Sequence, residues 1–397
     1  MSEAAADPVV IASVARTPMA ALQGEFATLS AAQLGAAAIA AALKRAGIEP
    51  TLVNEVIMGC VLAAGQGQAP ARQAALAAGL AQSTGATTVN KMCGSGMRAV
   101  MFAHDMLLAG SAEVLVAGGM ESMSNAPYLL PKARSGMRMG HGQMLDHMFT
   151  DGLEDAYEKG RLMGSFADAA ALTLHLSRAA QDGYALESFN RARQAIESGA
   201  FQWEIASVTV PRRDGDVTIL QDELPFKADL DRVTTLKPAF SPDGTVTAAN
   251  ASSIADGAAA LVLMRASTAA RLGVTPLAQI VGHTTFAHAP AQFVIAPVSA
   301  LKQLLSKNGW RASEVDLYEI NEAFAVVAMA AIQAHYLPHS KVNVNGGACA
   351  LGHPIGASGA RILVTLIGAL RQRGLKRGVA SLCIGGGEAT AMGIELM

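Results

Sequence analysis

The sequence predicts an α/β fold in which one layered unit is used twice, with a long segment inserted between the copies. Two observations carry this reading: an internal repeat at nearly constant offset, and a small-residue composition broken by glycine-rich turns. Leu43-Lys44-Arg45-Ala46-Gly47 leads to Val53 much as Leu305-Ser306-Lys307-Asn308-Gly309 leads to Val315; in each, an apolar helix stops at a glycine and a valine opens a strand. Gly47 and Gly309 lie 262 residues apart, and Ser95-Gly96-Met97-Arg98 returns as Ser358-Gly359-Ala360-Arg361 at an offset of 263. Strand candidates Val114 to Glu121 and Val379 to Glu388 then run into Gly118-Gly119 and Gly385-Gly386-Gly387. Hydrophobic residues make up 51% of the 397 and aromatics only 5%, so the core should be small side chains packed around helices and parallel strands.

Taken in order, Thr87-Thr88-Val89 has the β-branched character of a strand end. Ala99, Val100, Phe102, Ala103, Met106 and Leu107 recur at helical spacing. Cys93, in Asn90-Lys91-Met92-Cys93-Gly94-Ser95-Gly96, therefore falls on a strand-to-helix turn, where the helix dipole favours a thiolate and the glycines let a carbonyl approach backbone N–H groups. The alternative is a small core cysteine. Residues 123–254 differ in character, rich in Met, Gly, His and charge, with a turn at Pro211 to Asp216. Asp256 to Met264 reads as the strand on which the chain returns to its first half. The N-terminal half is thus 1–122 plus 255–273, the insertion 123–254, and the C-terminal half 274–397.

Three stretches of the second half complement Cys93. Asn343 to Gly356 is a long loop holding His353 among glycines, either a base and oxyanion donor or a surface histidine with no task. In Ser381 to Glu388, Cys383 precedes three glycines that expose backbone donors beside the thiol; a buried strand cysteine is otherwise inert. Asn321-Glu322-Ala323-Phe324-Ala325 follows a strand candidate, Asp316 to Ile320, and Asn321 and Glu322 fit the caps of the next helix.

Composition excludes several classes. Thirty basic and 32 acidic residues give a net charge of −2 with no long like-charge run, which speaks against nucleic acid and anionic membranes. Apolar stretches such as Leu34 to Leu43 are too short to span a bilayer. Met1 to Asp7 lacks the features of a targeting segment, so the expected location is cytoplasmic. The four cysteines have no zinc-ligand spacing, and His104, His141 and His147 have no motif around them. No nucleotide-binding glycine motif occurs.

The blocks N-K-M-C-G-S-G at 90–96, N-E-A-F-A at 321–325, N-G-G-A-x-A-L-G-H-P-I-G-A-S-G-A-R at 345–361 and C-I-G-G-G at 383–387 together resemble the signature blocks of the thiolases. The resemblance covers essentially the whole chain. It implies duplicated βαβαβαββ halves in an α/β/α/β/α arrangement with an inserted loop domain for coenzyme A binding and tetramerisation. It also implies acetyl transfer between acetyl-CoA units, with 3-ketoacyl-CoA thiolysis of broader chain length as the alternative, and a homotetramer built as a dimer of dimers. No cofactor is tightly bound, no metal is needed, and coenzyme A is substrate and product. By the same resemblance Cys93 is the acylated nucleophile, His353 its base, and Cys383 the group that moves the α-carbon proton. Asn321, through a water, and His353 form one oxyanion hole; the N–H groups of Cys93 and Gly385 form the other. Ser252 bonds the pantetheine, and Ala248, Phe240, Met163, Ala323 and Phe324 line its tunnel. Lys227 and Arg232 are the cations for the phosphates, or else solvated surface charge. Leu162 stands where many relatives have a histidine, which leaves one pantetheine contact open.

Overall fold

The computed structural model describes residues 7–397, so most of Met1 to Asp7 lies outside the described residues. The first half supplies strands β1 (Val9–Arg16), β2 (Glu55–Gly59), β3 (Gly85–Val89), β4 (Val114–Ser122) and β5 (Ala255–Arg265), with helices α1 (Ala31–Ala46), α2 (Pro70–Ala77) and α3 (Ser95–Leu108). The insertion carries α4 (Met163–Thr173) and α5 (Arg178–Glu197). The second half supplies β6 (Ala278–Ala287), β7 (Leu317–Ile320), β8 (Arg377–Ile384) and β9 (Glu388–Leu396), with α6 (Ala296–Asn308), α7 (Ala325–His335) and α8 (Ser358–Arg373).

These nine strands run in one sheet in the order β7-β8-β9-β6-β1-β5-β4-β2-β3. Read outward from its first strand, each half has the same order. The counterpart of β3 in the second half shrinks to a single parallel bridge between Tyr318 and Val342. The expectation of parallel strands needs correction. Only β2 with β3, β2 with β4 and β7 with β8 are parallel, and the pairs made by β1, β5, β6 and β9 are antiparallel. Composition cannot distinguish the two, because a strand buried on both faces reads as a continuous apolar run in either case.

Burial on both faces fixes the layers. In β5, Ala258, Ala260, Val262 and Met264 pack with α1 and α2, while Ala259, Leu261 and Leu263 face α3 and α8. In the second half, Ala380 and Leu382 of β8 meet the same α3–α8 layer, and Val379 and Cys383 face α6 and α7. Helices α3 and α8 are therefore the shared middle of five layers. Their crossing explains the Ser-Gly repeat. A Cβ on Gly96 would lie 2.8 Å from the Ala360 nitrogen, and one on Gly359 only 2.5 Å from that of Met97, so backbone meets backbone where the repeats face each other.

Helix ends follow local chemistry. Ser30 and Gln33 form a capping box at the start of α1, and α1, α6 and α8 all end on left-handed glycines, Gly47, Gly309 and Gly374. The insertion is tied back by a buried ionic group: Arg16 on β1 bonds Glu204 at 2.5 Å and Asp222 at 2.7 Å.

Candidate active site

Cys93 occupies the turn between β3 and α3, and this turn is held from several sides. Asn90 accepts from the Met92 N–H at 2.9 Å, and Ser95 Oγ accepts from the Lys91 N–H at 2.8 Å and donates to the Met92 carbonyl at 2.6 Å. Met92 is held at φ +48°, a left-handed conformation that non-glycine residues adopt only when their surroundings impose it. Lys91 pairs with Glu388, which locks the turn to the second half. Gly94 admits that half closely: a Cβ there would meet Ile384 Cδ1 at 2.3 Å.

Across the turn, Cys93, His353, Cys383 and Gly385 line one cavity of about 320 Å³ together with Met163, Ser252, Phe293, Ala323, Phe324 and Tyr157. The N–H groups of Cys93 and Gly385 are directed at the Cys93 sulfur. Burial nonetheless outweighs those donors and pushes the thiol up to about 11. Desolvation thus opposes the pull toward a thiolate expected from the helix start, and α3 itself begins only at Ser95. Cys383 is also raised well above an ordinary thiol, first by burial and then by the proximity of Cys93.

His353 reaches the cavity from the loop before α8. Its backbone N–H donates to the Ser253 carbonyl at 2.9 Å, and its Nδ1 lies 2.5 Å from Ser358 Oγ. The Ser358 hydroxyl donates to the Pro354 carbonyl at 2.9 Å, so its free lone pair faces Nδ1 and assigns that nitrogen the proton. Nε2 is then an acceptor. Burial, with Arg361 contributing, pushes the imidazole down to about 3.

Asn321 lies one layer behind. Its N–H donates to the Ser381 carbonyl, its Nδ2 stands 3.5 Å from His353 Nε2, and its buried Oδ1 has no hydrogen-bond partner among the described residues. The helix-cap reading of Asn321 and Glu322 is corrected: Phe324 precedes α7 with no side-chain cap. Glu322 instead accepts from Tyr184 at 3.0 Å, Ser188 at 2.7 Å, Asn343 at 2.8 Å and the Cys349 N–H at 3.1 Å. It is a buried hub joining α5 to both loops of the second half.

A groove continues outward. A second cavity, of about 480 Å³, shares Met163, Ser252 and Phe324 with the first and adds Leu162, Phe240 and Ala248. A third shares Ala248, Leu224 and Ser253 with the second and ends at Lys227 and Arg232. The route from the Cys93 sulfur to two cations is apolar for most of its length. The two cations are unequal. Lys227 is paired with Glu223, while Arg232 is exposed and makes no ion pair among the described residues.

Two family models match the chain, the thiolase N-terminal domain over residues 9–267 and the thiolase C-terminal domain over 274–396. The chain belongs to the thiolase family. Among curated relatives, an acetyl-CoA acetyltransferase of Cupriavidus necator is 50% identical over 98% of this chain and 99% of its own length. Acetyl-CoA acetyltransferase 2 of Arabidopsis thaliana is 50% identical over 98% of this chain and 97% of its own. A crystal structure of the Bacillus anthracis acetyl-CoA acetyltransferase superposes with a TM-score of 0.96 at 40% identity, covering 98% of this chain and 99% of the other.

Sequence reasoning missed three supports of this thiolase cavity. Ser358 entered only as half of a repeat, although its position five residues after His353 in a tight Pro-Ile-Gly-Ala turn was a usable signal. Glu322 was seen only as a possible cap. Glu121, at the end of β4, accepts from the Val61, Leu62 and Gly356 N–H groups at 3.0, 3.1 and 2.8 Å, and burial pushes it up to about 7. Cys60 and Cys349 are buried off the cavity, and Leu162 gives the second cavity an apolar wall.

Proposed function

We propose that this chain interconverts two molecules of acetyl-CoA with acetoacetyl-CoA and free coenzyme A through an acetyl-Cys93 intermediate. The observation that carries the mechanism is the convergence of two thiols, one neutral imidazole and the Gly385 N–H on one cavity at the end of an apolar groove.

All three groups begin neutral, so charge appears only with substrate. Cys93 attacks the thioester carbonyl as its proton moves to His353 Nε2, and the N–H groups of Cys93 and Gly385 hold the oxyanion. The departing coenzyme A thiolate takes its proton from Cys383. This leaves a Cys383 thiolate beside a His353 imidazolium. The second acetyl-CoA loses its α-proton to Cys383, and the enolate oxygen is held by the new Nε2–H and by Asn321 through a water. The enolate carbon then attacks the acetyl group, Cys93 leaves as thiolate, and His353 returns its proton. Every proton is back where it started, and kinetics are ping-pong. Each fixed oxyanion donor is worth on the order of 3 kcal/mol.

Residues 123–254 hold coenzyme A, with Ser252 toward the pantetheine and Arg232 toward the phosphates. No other cofactor enters these steps. Acyl length is limited by Met163 and Phe293, which stand in the cavity wall and favour two-carbon units over longer ones. A homotetramer, as a dimer of dimers, is supported by β3, a partly exposed edge strand paired on one side, and by exposed Met137, Met139 and Met144 in the insertion. A cytoplasmic setting suits four free cysteines; among the described residues no helix is long and apolar enough to cross a membrane.

The test is coenzyme A-dependent loss of acetoacetyl-CoA by the wild type, Cys93→Ser and Cys383→Ser, with mass spectrometry of the trapped protein. Cys383→Ser is expected to lose on the order of 10³-fold in condensation yet still acetylate Cys93, whereas Cys93→Ser forms no acetyl-cysteine. Acetylation at any other cysteine would refute the assignment.

A further inference from the structure

We propose that His104, Asp105 and His283 form a divalent transition-metal site remote from the reaction, in which one ion joins α3 of the first half to β6 of the second. His104 Nδ1 and Asp105 Oδ1 lie 3.0 Å apart, His283 Nε2 and His104 Nδ1 3.2 Å, and His283 Nε2 and Asp105 Oδ1 2.9 Å. These three atoms are the corners of a nearly equilateral triangle.

Hydrogen bonds account for at most two edges of that triangle, those from the two rings to the carboxylate oxygen, and leave the edge between the rings unused. Each ring nitrogen carries either a proton or a lone pair toward its neighbours. A proton on His283 alone leaves His104 and Asp105 facing each other lone pair to lone pair. A proton on His104 alone does the same to His283 and Asp105, while protons on both let each ring donate to Asp105 Oδ1 and leave the two nitrogens 3.2 Å apart with no bond between them. No assignment makes all three edges hydrogen bonds. A cation turns all three contacts into attractions.

The dimensions agree with this. Ligand atoms about 2.0–2.2 Å from one small divalent ion stand roughly 3 Å from each other on one face of its coordination shell. Two histidines and one carboxylate on a face, with the remaining positions left to water, suit zinc, cobalt, nickel or ferrous iron. The histidine side chains are 12% and 13% exposed and Asp105 is 53% exposed, so the ligands are packed and the entry side is open. The rings meet edge to face at 89° with centroids 4.9 Å apart, which brings one nitrogen of each beside the same carboxylate oxygen. Lys307 Nζ bonds the His283 carbonyl at 3.0 Å and fixes the backbone that presents it. The groove from Cys93 to Arg232 includes none of these residues, so the inference does not depend on the proposed reaction.

Full-length, chelator-stripped protein would be titrated with cobalt(II) alongside His104→Gln/His283→Gln and, as a milder surface change, Asp105→Asn. The expected result is one cobalt per chain with ligand-field absorption and no thiolate charge-transfer band, and zinc should raise the melting temperature of the wild type. Because loss of an outer partner alone weakens metal sites 10–100-fold, removing ligands should weaken cobalt binding by at least about 100-fold. Thiolytic activity of the folded variants should stay within about twofold, as these side chains are far from the chemistry. Affinities for cobalt within a factor of about three across all three proteins, or a spectrum dominated by thiolate charge transfer, would overturn the proposal.

Discussion

His353 works between two thiols because its other nitrogen is occupied. Ser358 accepts a hydrogen bond from the Nδ1–H and donates its own to the Pro354 carbonyl, which in the proposed reaction leaves Nε2 free to accept from Cys93 and afterwards to donate to an enolate. Ser358→Ala should therefore lower kcat by roughly tenfold to a hundredfold with KM for acetoacetyl-CoA nearly unchanged, since the tautomer matters to proton transfer and the pantetheine contacts are untouched. Steady-state kinetics check this; a rise in KM alone would place Ser358 in binding. The raised Cys93 and Cys383 thiols and the lowered His353 share their largest cause, burial in a cavity that disfavours each charged form until substrate brings a compensating partner.

At the scale of elements, the groove divides its labour between an apolar wall and a charged mouth. Phe240, Phe293 and Phe324 meet edge to face, Phe324 lying 6.0 Å from Phe240 and 6.5 Å from Phe293, so the wall comes from the insertion and the second half together. At the mouth, Lys227 has Glu223 while Arg232 has no such partner among the described residues. Arg232→Ala is expected to raise KM for coenzyme A about five- to tenfold, and Lys227→Ala by less than about twofold, because an exposed pair already formed has little to give a phosphate. Thiolysis at varied coenzyme A concentration measures both, and the reverse ranking would show that Glu223 releases Lys227 to the ligand.

For the whole molecule, buried ionisable groups make stability depend on pH in opposing ways. His353 is held down to about 3, so as pH falls below 6.5 the unfolded chain gains a proton that the folded chain refuses, and stability is lost through that window. Glu121, held up to about 7, acts oppositely: its contribution is complete below 4.5 and is lost as pH rises to 7. The two offset each other near pH 5 to 6. His353→Asn should therefore remove a loss of about 2 kcal/mol between pH 6.5 and 5, read as the difference in urea unfolding free energy between variant and wild type. An unchanged difference at the two pH values would mean that the imidazole titrates normally in the fold.

The chain's own residues determined the duplication, the insertion and the family's signature blocks, because these are carried by short local patterns: Ser-Gly at two matching offsets, a cysteine before a helix, a histidine amid glycines. Strand direction was decided elsewhere. Residues such as Ala258 to Met264 are apolar on both faces whichever way their neighbours run, so only pairing across the sheet made it mixed. Tertiary structure also decided the protonation states, since burial of Cys93 and His353 depends on how closely two halves, distant in sequence, approach. It decided the role of Glu322 too, whose four donors come from α5 and from the Asn343 to Gly356 loop. His104 and His283 belong to that second class: 179 residues separate them, and the fold alone sets their ring nitrogens 3.2 Å apart.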